Sequence, residues 1–130
     1  MAAVIGHLTV DSADPGLLAQ WWAQVLGWLV EDESDPDEIW IESPDGGQPG
    51  ILFLRVADAK VVKNRLHLDL RPADSSDQES EVARLLALGA TSVDIGQGEV
   101  PWYVLADPEG NEFCLLRSTP AQLAAMEATG

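Results

Sequence analysis

The stretch RLHLDLRP, residues 65–72, repeats the pattern of VIGHLTVD, residues 4–11. Each alternates apolar and polar side chains, the mark of a strand with one covered face. Leu66, Leu68 and Leu70 share one side and His67 and Asp69 the other. In the earlier stretch Leu8 and Val10 oppose His7 and Thr9. The two histidines are 67 − 7 = 60 residues apart, so the question is whether the rest of the chain repeats as well.

It does. A helix is predicted from about Asp14 to Leu26, with Pro15 early, where its missing N–H costs little, and Gly27 as the stop. Leu17, Leu18, Trp21, Trp22, Val25 and Leu26 make its apolar face. A second helix is predicted from about Asp77 to Leu88, with Val82, Leu85, Leu86 and Leu88 inward and Gly89 as the stop. Three short strands follow each helix: Trp28–Asp32, Glu38–Ser43 and Gly50–Val56, then Thr91–Ile95, Pro101–Ala106 and Glu112–Ser118. The turns Ser43-Pro44-Asp45-Gly46 and Asp107-Pro108-Glu109-Gly110 match, with Pro and Gly supplying the geometry. The expected fold class is therefore α+β, a single domain of two tandem βαβββ modules packed as a repeat. Module one spans 4–56, the linker 57–64 and module two 65–118. A small amphipathic helix is expected over 120–128.

Composition narrows the partners. The chain of 130 residues carries 22 acids against 7 bases, a net charge of −15. No Lys or Arg occurs before Arg55, and Glu31 to Asp45 holds eight acids. Such a surface repels phosphate backbones, so nucleic acid is not expected as a partner. It would attract cationic small molecules, or serve only solubility. No apolar run approaches the ~20 residues that cross a bilayer. The opening MAAVIGHLTVD lacks a basic segment followed by a long apolar one, so no export signal is expected. A single cysteine, Cys114, cannot close an internal disulfide, and the cytoplasm is the expected compartment.

Over residues 4–117 the chain resembles the glyoxalase/bleomycin-resistance/extradiol-dioxygenase group, the vicinal oxygen chelate superfamily. The resemblance is carried by GHLTVD, RLHLDLRP, the helix ending WWAQVLGW, Leu88-Gly89-Ala90, and DPEGNEFCLL (residues 107–116), a variant of the group's DPxGNxxE signature. It implies sheets curled around a ligand cavity, commonly in a homodimer. In metal-dependent members each module supplies one ligand from its first strand and one from its last. His7 and His67 match the first and third ligand positions. The fourth, the Glu ending DPxGNxxE, is Cys114 here. Placing Arg55 over Arg117 puts the second at Leu52.

Three chemistries then compete. The metal is absent, since Leu52 cannot ligate and two imidazoles with a thiol do not balance a hard ion. Alternatively His7, His67 and Cys114 hold a softer ion such as Zn²⁺ with an open fourth place, or a displaced acid substitutes, Glu112, Glu42 or Asp69. In the third, Cys114 works without metal beside a histidine base.

Five tryptophans add a further sign. Trp21, Trp22 and Trp28 read as core. Alternation groups Trp40 with Glu38 and Glu42, and Trp102 with Val104 and Ala106. Aromatic walls with nearby acids suit a flat or cationic organic ligand. The expected ligand lining is His7, Thr9, Trp40, Glu42, Leu52, Leu54, His67, Asp69, Trp102 and Cys114. The expected function is small-molecule binding without the group's usual metal. The alternative is a metal-dependent lyase, isomerase or dioxygenase with a changed ligand set.

Overall fold

A computed structural model describes residues 2–31 and 35–129. The chain forms two compact units, residues 1–60 and 61–130. Each contains a four-stranded mixed sheet and obeys the same connectivity.

In the first unit the order is β1 (His7–Ser12), α1 (Pro15–Leu26), β2 (Leu29–Val30), β3 (Glu38–Glu42) and β4 (Gly50–Arg55). The sheet runs β1-β4-β3-β2, with β1 parallel to β4 and the other pairs antiparallel. A parallel pair needs a long crossover, and α1 with the β2–β3 meander provides it. Asp14 caps α1, its carboxylate accepting the Leu17 N–H at 3.3 Å, and Pro15 sits in the first turn. Gly27 ends the helix at φ 69°, a left-handed conformation that costs other residues a Cβ clash. The face of α1 that lies against β3 and β4 buries Leu18, Ala19, Trp22 and Val25. Ile41, Ile51 and Phe53 meet it from the sheet, each burial contributing about 1.5–3 kcal/mol. Trp21 and Trp22 pack edge to face at 5.2 Å inside this core. Leu17, expected inside, is 57% exposed. Arg55 pairs with Asp37 at 2.6 Å and donates to the Ala13 carbonyl, tying the end of β4 to the start of α1.

In the second unit β5 (Asp69–Leu70), α2 (Gln78–Ala87), β6 (Thr91–Ser92), β7 (Tyr103–Ala106) and β8 (Glu112–Leu115) repeat the pattern, followed by α3 (Pro120–Thr129). The sheet runs β5-β8-β7-β6, with β5 parallel to β8. Asp77 caps α2 through the Ser80 N–H at 2.8 Å. Thr119 and Gln122 form a reciprocal capping box at the start of α3, at 3.1 and 2.9 Å.

Several expected bounds shorten. The first strand starts at His7 rather than Val4, and the last two of unit two start at Tyr103 and stop at Leu115. The second strand of unit one is Leu29–Val30; the expected end at Asp32, like the acids Asp32 and Glu33, lies outside the described residues. The strand expected over Arg65–Pro72 contracts to Asp69–Leu70, and Leu66 is 90% exposed. Its cause is local. Asn64 donates its backbone N–H to the Glu112 carboxylate (3.1 and 3.3 Å) and its side-chain amide to the Glu112 carbonyl (3.4 Å). The chain ahead of Leu68 is thereby tied to the start of β8 instead of running alongside it. Of the face expected for α2, Leu85 alone is fully buried among the described residues, and Leu86 is exposed.

Candidate functional site

The strand registers test the internal alignment directly. Thr9 pairs with Leu52 in the first unit, and Asp69 pairs with Cys114 in the second. Trp40 faces Leu52, and Val104 faces Cys114. Leu52 and Cys114 therefore hold equivalent places in the two sheets. By the same register the counterpart of Trp40 is Val104, and Trp102 lies before β7, 38% exposed.

In the first unit, the sheet face turned away from α1 carries His7, Thr9 and Asp11 on β1, Gly50, Leu52 and Leu54 on β4, and Glu38, Trp40 and Glu42 on β3. The His7 ring meets the Trp40 indole edge on, with centroids 5.4 Å apart and planes at 71°. The indole N–H donates to Glu42 Oε2 at 3.2 Å. Trp40 lies over Gly50: a Cβ there would stand 2.2 Å from Cζ2 of the indole. Glycine thus provides the floor on which the ring rests. Leu54 pairs with both Asp11 and Glu38, so an apolar side chain is bracketed by two carboxylates. Gly50 and Asp11 were missed by the sequence reading. Asp11 was available from the alternation of β1, but nothing local marks a glycine as the seat of a ring ten residues away.

In the second unit, His67, Asp69 and Cys114 converge, their donor atoms all within 4.8 Å of one another. His67 Nδ1 lies 3.0 Å from Asp69 Oδ1 and 4.0 Å from Cys114 Sγ. An ionised Asp69 only accepts, so Nδ1 is the ring nitrogen that donates to it. Cys114 is 6% exposed, whereas His67 and Asp69 are open to solvent. Burial pushes the Cys114 thiol above its ordinary value, and the Asp69 charge and hydrogen bond add to the rise; Lys63 works against it. The resting group is a neutral thiol. Glu112, two residues along the same strand face, is buried and held by Asn64.

The signature loop is built around Asp107. Its Oδ1 accepts the Glu109 and Asn111 N–H groups at 2.9 and 3.0 Å, and its Oδ2 accepts the Asn111 amide at 2.9 Å. Gly110, at φ 86°, closes the turn by donating to the Asp107 carbonyl at 2.9 Å.

With this geometry in place, comparison with known proteins identifies the class. The profile of the glyoxalase-like domain matches residues 7–116, and the chain belongs to that family. No curated protein sequence matches it. Among solved structures, the fosfomycin resistance protein FosX from Mesorhizobium loti is similar at 16% identity and TM-score 0.68, covering 96% of this chain and 99% of that one. FosX from Listeria monocytogenes, in a variant bound to Mn(II) and a dihydroxypropylphosphonic acid, is similar at 17% identity and TM-score 0.68, covering 98% and 99%. A glyoxalase/bleomycin resistance protein/dioxygenase family enzyme from Burkholderia phytofirmans follows at 19% and 0.64, covering 85% and 94%. These similarities bear out the α+β fold with two four-stranded mixed sheets. Among the described residues no helix is long and apolar enough to cross a membrane.

Proposed function

We propose that this chain is a glyoxalase-like domain that binds a small organic molecule, flat or cationic, on the Trp40 face of its first unit, without the hard metal ion that the family resemblance implies. The observation that carries the reading is the seating of Trp40. The ring is supported by Gly50 and anchored to Glu42, with His7 against it. An aromatic side chain held in place gives up little freedom when a second ring or a cation stacks on it. His7, Thr9, Glu42, Leu52 and Leu54 complete the proposed surface. Asp11, Glu38 and Glu42 add negative charge, which favours a cationic group on the ligand.

The donor set supports the loss of the hard ion. Leu52 offers only carbon, and Cys114, its counterpart, offers a buried neutral thiol where the resemblance implies a carboxylate. Mg²⁺ and Mn²⁺ take oxygen ligands, and neither residue supplies one.

The test is a fluorescence titration against a panel of cationic and neutral aromatic compounds, with Trp40→Ala as the control. Saturable quenching that disappears in the variant supports the reading. No response from any compound, or a response unchanged in Trp40→Ala, overturns it.

A second reading, a lyase, isomerase or dioxygenase with an altered metal set, draws on the convergence of His67, Asp69 and Cys114. We also propose a homodimer. Val4 and Ile5 in the first unit and Val61, Val62 and Leu66 in the second are exposed apolar side chains of the kind a second copy would cover. Sedimentation of a monomer at micromolar concentration would sink that part.

A further inference from the structure

The geometry points to a site for a soft divalent cation of the zinc class, made within the second unit by His67 Nδ1, the Asp69 carboxylate and Cys114 Sγ. His67 and Cys114 stand at two of the ligand positions that the family resemblance implies, but Asp69 does not, and the site does not depend on the organic ligand proposed for the first unit.

Charge is the first argument. Two imidazoles and a thiolate leave a divalent ion short of one negative charge. Asp69 removes that deficit: one thiolate, one carboxylate and one neutral imidazole make a neutral centre with a 2+ ion. A neutral centre suits a site half withdrawn from water.

Spacing is the second. Zinc bonds of ~2.0–2.1 Å to nitrogen, ~2.0–2.2 Å to oxygen and ~2.3 Å to sulfur, arranged tetrahedrally, separate N from O by about 3.4 Å and N from S by about 3.6 Å. Here the separations are 3.0 and 4.0 Å. Each differs by about 0.4 Å from that ideal, within the reach of small side-chain rotations at the exposed His67 and Asp69.

The third is the backbone. Asp69 and Cys114 are direct partners across the β5–β8 pair, and the Cys114 N–H donates to the Leu68 carbonyl at 2.9 Å. Two of the three donors therefore sit on paired strands rather than on loops, the placement that holds a ligand set most firmly.

Three protein donors leave a fourth place for water. Glu112 does not take it, because its carboxylate already accepts from Asn64. Binding releases the thiol proton to solvent and shifts the imidazole proton from Nδ1 to Nε2, so no other reactant is needed. A sulfur donor sets the preference: zinc, cobalt and cadmium over magnesium and manganese.

The experiment uses the full chain, stripped with chelator and free of affinity tags, titrated with Co²⁺ as a spectroscopic substitute for Zn²⁺. The expected result is a near-ultraviolet thiolate-to-cobalt charge-transfer band that saturates at one equivalent, is abolished by Zn²⁺ and is untouched by excess Mn²⁺ or Mg²⁺. Cys114→Ser should lose the band. Asp69→Asn, an isosteric change that leaves the fold intact by circular dichroism, should weaken cobalt binding by at least the ~10–100-fold that even outer-shell partners contribute. Absence of the band at millimolar cobalt, displacement by Mn²⁺, or unchanged affinity in Asp69→Asn would each overturn the assignment.

Discussion

Replacing Gly50 with alanine puts the packing of the first unit to a quantitative test. The added methyl would lie 2.2, 2.6 and 2.8 Å from Cζ2, Cη2 and Cε2 of Trp40, closer than any real carbon contact. These atoms belong to a rigid ring, so the indole must swing away as a whole. It then loses its bond to Glu42 Oε2 and its edge contact with His7. Forced overpacking costs about 1–3 kcal/mol, and a lost aromatic pair about 0.5–1.5 kcal/mol. Against this, alanine is favoured over glycine inside a strand by about 0.5–1 kcal/mol. The net expectation is a loss of about 1–3 kcal/mol, measured by urea denaturation followed by circular dichroism. The decisive step repeats the substitution in a Trp40→Ala background. With the indole gone, Gly50→Ala should be neutral or stabilising, giving a coupling of about 1–3 kcal/mol between the two sites. Equal costs in both backgrounds would refute the account of Gly50 as the seat of the ring.

Three further expectations concern the second unit. Asp107→Ala leaves two backbone N–H groups and the Asn111 amide without their acceptor in a partly buried loop, and should lower stability by about 1–3 kcal/mol in the same assay. Cys114 in the metal-free protein should react with iodoacetamide near neutral pH far more slowly than a free thiol, its rate rising only above the ordinary thiol value of 9.0. Because folding raises this thiol, its contribution to stability is present below the unfolded value and is lost as pH climbs through the folded one, a dependence that Cys114→Ser should remove.

The features legible in the sequence were those specified locally. Asp14 and Asp77 cap their helices, and Gly27 ends the first, because each acts on backbone within four residues of itself. Laying Arg55 over Arg117 set Leu52 in the place of Cys114, and the pairings Thr9–Leu52 and Asp69–Cys114 agree with that equivalence. What escaped were effects between residues distant in sequence. Alternation alone extended the strand at residues 65–72, yet the bonds from Asn64 to Glu112 across 48 residues decide where it begins. Glu112 was an available acid by its position two residues before Cys114; its hydrogen bonds to Asn64 commit it elsewhere. Asp69 was assigned to the ligand side, but its distances to His67 and Cys114, which make it a donor, depend on side-chain rotamers that no pattern encodes.

The loop around Asp107 has a broader consequence. Its carboxylate, the Asn111 amide and Gly110 hold the turn by bonds among themselves, and none of them reaches the side chain at position 114. The frame that delivers residue 114 to the sheet is thus indifferent to what is delivered. Glutamate, cysteine or an inert side chain could occupy that place while the turn, the strand and the register persisted. In such a scaffold chemistry is interchangeable at one position, and an ancestor and its descendants can part in reactivity long before they part in shape.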